Sequence, residues 1–303
     1  MDFDLMVKER LADYKKKKFP DVGNGKWNQL EYEHILPEGY EYLNYLSPYR
    51  KELSQYIIEN VRKKKIKLHS PTHMNSSQIM CFNFFYPFIV EGVLDHITTF
   101  VEINEPVSEA EFEYVPDYNE GTNIDFYLRL ASGRRILFEI KYSEKDFGPV
   151  NLNEHNREKY EKKFFEIYEP KLNSKIQPDR LNMLTILKYY QLARNIFHLN
   201  PNDLFVVVAP KHNIKLKDKF DCFKTEVLKE NVKDQVRFIS WEDMLFGVRE
   251  IACIAGRQIP RLIEQLDKFE EKYLGLAERT KNPYSTRDLS YFCRIYLQGK
   301  HRK

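Results

Sequence analysis

The stretch IDFYLRLASGRRILFEIKYSE, residues 124–144, decides the fold. Its halves, 124–130 and 134–142, are strand-length and rich in β-branched and aromatic residues, and Ser132-Gly133 between them supplies a tight turn. A β-hairpin follows. Side chains alternate faces along a strand, so Glu139 and Lys141 point one way and Ile140 the other. Antiparallel pairing then carries Asp125, at the start of the first strand, toward the Glu139–Lys141 end of the second. Three charged residues converge on one face of an otherwise apolar pair.

That convergence has a chemical meaning. Carboxylate oxygens of Asp125 and Glu139, with the backbone carbonyl of Ile140, are hard donors suited to Mg²⁺ or, as a substitute, Mn²⁺, with waters completing the octahedron. Lys141 beside them can neutralise charge developing on a phosphoryl group. The set fits metal-dependent phosphodiester hydrolysis.

Outward from the hairpin, AEFEYV at 110–115 alternates as a strand and DYNEGTN at 117–123 reads as a polar turn, giving a three-stranded meander. Before it, the apolar run after Ser76 and Ser77 predicts a buried helix to Gly92, kinked or divided at Pro87. After it, a charged helix is expected at 154–168, a long amphipathic helix at 181–199, a buried strand at 204–210 and another strand at 235–241. Residues 48–64 read as a helix, as do the patterns WEDMLFGVREI and PRLIEQLDKFEEKYLGL near the C-terminus. We divide a single domain into a helical extension (1–70), an α/β core (71–245) and a C-terminal helical region (246–303). A mixed sheet with helices on both faces satisfies this order.

Other polar residues fall where they could assist. Glu91, at the end of the first core helix, is a further acid that could point at the metal. Gln191 and Arg194 lie on a polar stripe of the 181–199 helix, with Lys188, Asn195 and His198, opposite Leu184, Leu187 and Ile196. Ser77 and Gln78 open the first core helix, where free N–H groups favour anions, although ordinary capping explains them equally well.

The segment 124–144 resembles the D-(x)n-E-x-K core of the PD-(D/E)XK nuclease superfamily, and the likeness extends over about 76–210. HSPTHMNSSQIMCFNFFYPF, GTNIDFYL, FEIKYSE and YYQLARN are similar to a bacterial restriction-endonuclease-like group within it. Asn123-Ile124 stands where the signature has proline. The resemblance implies a restriction-endonuclease-like α/β fold with an αβββαβ core and helical N- and C-terminal extensions, a nuclease active site at Asp125, Glu139 and Lys141, and DNA as the nucleic-acid partner. Two rivals stay open: a catalytically inactive nucleic-acid-binding module of a defence or repair assembly on the same fold, and a surface Glu139–Lys141 ion pair in an unrelated enzyme.

Composition excludes other classes. With 42% apolar and 31% charged residues the 303-residue chain can bury its own core. Its four scattered cysteines form neither a zinc motif nor a disulfide scaffold, and Ser/His/Asp elbows and Gly-rich phosphate loops are missing. No apolar run approaches the roughly 18 residues that span a bilayer, and a cytoplasmic protein without membrane association is expected. The net charge of +3 is uninformative, although basic runs at Lys15–Lys18 and Arg62–Lys65 could meet phosphates. A homodimer is left open.

Overall fold

The structure is a computed structural model that describes residues 2–255 and 259–275. The described residues divide into two compact units, one drawn from 2–110, 130–132, 240–255 and 259–275 and one of residues 111–129 and 133–239. Among the described residues no helix is long and apolar enough to cross a membrane.

The first unit opens with α1 (Phe3–Lys18), the short hairpin β1 (Gly25–Trp27) and β2 (Leu30–Tyr32), and α2 (Arg50–Arg62). It continues through α3 (Ser77–Val90) and α4 (Asp95–Phe100). Of the kink or division expected at Pro87, the division does not occur: α3 runs through the proline as one helix. Proline removes the N–H that would have bonded the carbonyl of Asn83. Gln265 donates to that carbonyl instead, at 2.7 Å, so the ladder loses a bond without burying an unsatisfied oxygen.

The five-stranded sheet, most of whose residues fall in the second unit, has strands β3 (Val107–Tyr114), β4 (Ile124–Leu130), β5 (Arg135–Ile140), β6 (Leu204–Ala209) and β7 (Val236–Ser240), hydrogen-bonded in that order. β4 and β5 pair antiparallel from Phe126↔Phe138 to Arg129↔Arg135, the predicted hairpin, and its Gly133 takes the positive φ of +86° that a turn glycine allows. β6 joins β5 in parallel from Ile136↔Leu204 to Ile140↔Val208. The helices are α5 (Arg157–Lys163), α6 (Glu169–Leu172), α7 (Met183–Lys188), α8 (Tyr190–Phe197), α9 (Ile214–Cys222) and α10 (Glu230–Lys233). The expected single helix over 181–199 is thus two, broken at Tyr189 (φ −114°, ψ 42°). The break leaves Leu184 exposed while Leu192, Ala193 and Ile196 are buried against Tyr127, Leu137, Phe205 and Val207.

β3 carries a feature the sequence does not announce. Phe112 packs on Phe126 (centroids 4.9 Å) and Tyr114 stacks on Tyr127 (4.0 Å). Phe126 and Tyr127 are neighbours facing opposite sides of the sheet, so residues 112 and 114, which would share a face in a regular strand, do not. The parity breaks at Glu113, whose φ of +55° marks a bulge-like kink.

The chain closes in the first unit with α11 (Trp241–Ile254) and α12 (Pro260–Phe269). Phe84, Trp241 and Phe269 form a mutual aromatic cluster with centroids 5.0–5.2 Å apart. The mixed sheet with flanking helices is the α/β class read from the sequence.

Candidate active site

Extending the β4–β5 register by one step sets Asp125 across from Glu139, on the face that α8 covers. The backbone ladder does not continue there. Asp125 Oδ2 instead accepts the Ile140 N–H at 2.6 Å, so the carboxylate is fixed against β5. The next N–H, of Lys141, turns to the other side and donates to Val208 of β6 at 2.9 Å. A residue's N–H and C=O leave a strand on the same edge. The Ile140 carbonyl therefore lies on the Asp125 side, as a metal donor there requires.

Glu139 and Lys141 are each 5% exposed and form an ion pair of 2.9 Å, which removes the reading of a solvated surface pair. Their outer partners come from α8. Asn195 Nδ2 donates to Glu139 Oε2 at 2.7 Å, and Lys141 Nζ donates to Gln191 Oε1 at 2.8 Å. The match is geometric: residues four apart on a helix rise about 6 Å and residues two apart on a strand about 6.6 Å, so two polar pairs align in register. Gly148 permits the approach. A Cβ there would sit 3.1 Å from Gln191 Cδ, and its φ of +57° disfavours other residues.

Electrostatics separate the roles. Burial and then the neighbouring Glu139 and Glu113 push the Asp125 carboxyl well above the usual range, only partly countered by Lys141 and the Ile140 N–H. Burial works against the Lys141 ammonium, but Glu139, Glu144 and Asp125 outweigh it and raise its pKa. Lys141 is thus held as a cation, and two crowded carboxylates share it. A divalent cation would relieve that excess. Among the described residues no group of three or more His, Cys, Asp or Glu side chains is placed to hold a metal. The donors on offer are two carboxylates and a carbonyl, a set of the size Mg²⁺ accepts when water supplies the rest. The residues fit the ion.

The remaining sequence candidates have partners of their own. Arg194 is spent on Glu120, donating to Oε1 at 2.7 Å. In the first unit, Glu91 accepts from the Tyr49 hydroxyl at 2.6 Å. Ser76 rather than Ser77 caps α3, and the buried Gln78 amide bridges Lys67 O and His69 N–H. The Lys15–Lys18 run is also consumed: Lys15 is 2% exposed and donates to Gly23, Asn24 and Ile35, while Lys18 pairs with Glu271.

Sequence reasoning missed Glu113, Glu120 and the role of Asn195. Glu120 sits in the β3–β4 connection and its buried carboxylate gathers Arg194, His198 Nε2 (3.1 Å), Lys163, the Tyr168 hydroxyl (2.8 Å) and the Thr122 N–H and hydroxyl. It ties the loop leading to Asp125 onto α8, the helix that orients Glu139 and Lys141. Asn195 stood in the polar stripe, and only its facing was unreadable.

The sequence model of the family described as Restriction Endonuclease associating with ARP (REase-ARP) matches residues 8–278. No curated protein and no solved structure matches the chain.

Proposed function

The chain belongs to the family of restriction endonucleases associating with ARP, and from that premise we propose that it is a Mg²⁺-dependent nuclease that hydrolyses phosphodiester bonds of DNA. The observation that carries this reading is the convergence of Asp125, Glu139 and Lys141 at the open end of the β4–β5 ladder, with Gln191 and Asn195 fixing two of the three. Asp125, Glu139 and the Ile140 carbonyl would hold the ion, with Mn²⁺ able to replace it. When bound, the ion supplies Lewis-acid neutralisation at a phosphoryl oxygen. Lys141 remains an ammonium and stabilises the negative charge that builds on the phosphoryl oxygens as water attacks. Glu139 keeps that ammonium in place, and Asn195 and Gln191 remove the rotameric freedom of both side chains, so little reorganisation accompanies the reaction. The intact acid, acid and lysine set favours turnover over an inactive binding module. The family description also supplies a setting: a nuclease that acts in association with ARP.

The test is cleavage of single-stranded, duplex and branched DNA with Mg²⁺ or Mn²⁺ by the parent, Asp125→Ala and Lys141→Ala. Each variant is expected to lose at least about a hundredfold, two steps of 1.36 kcal/mol in the barrier. Equal activity in all three proteins contradicts the assignment.

A further inference from the structure

Within the second unit a cleft of about 1300 Å³ opens where β5, β6 and β7 begin, bounded also by the β3–β4 connection and by α6 with the turn after it. β5 runs from this cleft toward Glu139 and Lys141, and the six residue steps from Arg135 to Lys141 span about 20 Å. The cleft is therefore a separate place from the candidate active site.

Its lining is charged and asymmetric. Arg134, Arg135, Lys171, Lys175 and Arg237 face it against the carboxylates of Asp117, Asp203 and Asp234. Asp203 is already saturated: it accepts from the Arg135 backbone and guanidinium and from the Asn200 N–H. It can neither repel nor replace a ligand. Lys175 makes no ion pair among the described residues. Its three donors go to the carbonyls of Ile196, Phe197 and Leu199 at the C-terminal end of α8, so its charge is anchored at the cleft wall. Lys171 stands over the Phe197 ring, 4.4 Å from its centroid, again without a carboxylate among the described residues. Burial, and then the positive field of Lys171 and Arg135, lower the Lys175 pKa to about 8. At the rim Tyr118 is 88% exposed, an aromatic face presented to solvent.

We propose that this cleft binds a short run of single-stranded nucleic acid, with phosphates on Lys171 and Arg237 and a base stacked on Tyr118. The proposal builds on the nuclease reading, since it names where the substrate is held away from the bond that is cut. A basic groove combined with an exposed aromatic is the physical recipe for single-strand binding without sequence readout. The volume exceeds the roughly 300–1,000 Å³ of ordinary small-molecule pockets, which favours a polymer segment over a free nucleotide.

The experiment is fluorescence anisotropy of a labelled twelve-nucleotide single strand with the full chain, in chelator so that nothing is cleaved. Lys171→Glu with Arg237→Glu is expected to weaken binding at least tenfold and to flatten the dependence of affinity on salt by about 0.7 for each phosphate no longer neutralised. Tyr118→Ala is expected to weaken it about fivefold or more at unchanged salt dependence, because stacking releases no counterions. Lys171→Arg, keeping the charge, retains the parent affinity and guards against misfolding as the cause of loss. Unchanged affinity in the charge-reversed and Tyr118 variants overturns the proposal. So does equal binding of a duplex that the same substitutions weaken, or full displacement by a nucleoside triphosphate at concentrations matching the oligonucleotide. Failure of the nuclease reading is distinct: a parent that binds the strand in chelator yet cleaves nothing with Mg²⁺ leaves the cleft intact, and an active parent whose binding ignores these variants removes the cleft alone.

Discussion

One lone buried carboxylate and one pair of carboxylates flank α8, and they are opposites. Glu120 is one acid surrounded by Arg194, His198, Lys163, Tyr168 and Thr122; burial opposes its charge, but these partners hold its pKa far below the usual range. Asp125 and Glu139 are two acids sharing one lysine, and the Asp125 pKa goes up. Donor excess marks an anchor, because it leaves nothing for a ligand to supply. Crowding of like charges marks a candidate site, because folding has brought Asp125 and Glu139 together beside one lysine. The same helix serves both, Arg194 and His198 gripping the anchor while Gln191 and Asn195 aim the site's side chains.

The contrast can be broken first at the anchor. Glu120→Gln leaves buried cations without their acid and should cost about 3 kcal/mol of stability at neutral pH, read by urea unfolding. Because the folded-state pKa of Glu120 lies below its unfolded value, its contribution is complete above about pH 4.3 and fades as the pH falls toward the folded value. The gap between parent and variant should therefore narrow below about pH 4; a gap that widens there would sever the link between Glu120's charge and stability.

At the site, Asn195→Ala removes the donor to Glu139 and, on the proposed reading of Glu139 as a metal ligand, is expected to lower cleavage about 10- to 100-fold. A smaller change, Gly148→Ala, places a methyl against Gln191 at a positive φ. It should destabilise by about 1–2 kcal/mol and loosen the Lys141–Gln191 bond, visible as a lower midpoint together with reduced turnover. An unchanged midpoint would mean that the loop has room to retreat. Smallest is the effect of Asp125→Asn on the metal-free protein. It relieves repulsion while keeping an acceptor for Ile140, so stability should hold or rise by up to about 1 kcal/mol as activity disappears. A clear loss of stability would place Asp125 with the anchors.

Strand alternation and the turn glycine made β4, β5 and the convergence of Asp125, Glu139 and Lys141 legible, because both depend on short-range geometry. The facing of α8 was not. Amphipathic reasoning assigns polar residues to water, and here Gln191 and Asn195 point inward because the sheet presents charges at matching spacing. The break at Tyr189 also rotates the preceding turn, which no periodicity reveals. Glu113 in a left-handed conformation and Glu120 inside a polar turn are invisible for a related reason: their conformations are imposed by distant partners rather than by propensity. Lys15 shows the converse, a basic run read as exposed whose first residue is buried on backbone carbonyls. Cys293 falls outside the described residues, and none of Cys81, Cys222 and Cys253 is in a disulfide.

The claim that a deficit of positive charge defines the site is tested most directly by titrating Mn²⁺ into the metal-free protein and following heat. The parent should bind at millimolar concentration or below, Asp125→Asn and Glu139→Gln should lose that binding, and Glu120→Gln, where still folded, should keep it. Binding that survives both site substitutions, or a parent that takes up no ion, would contradict the account.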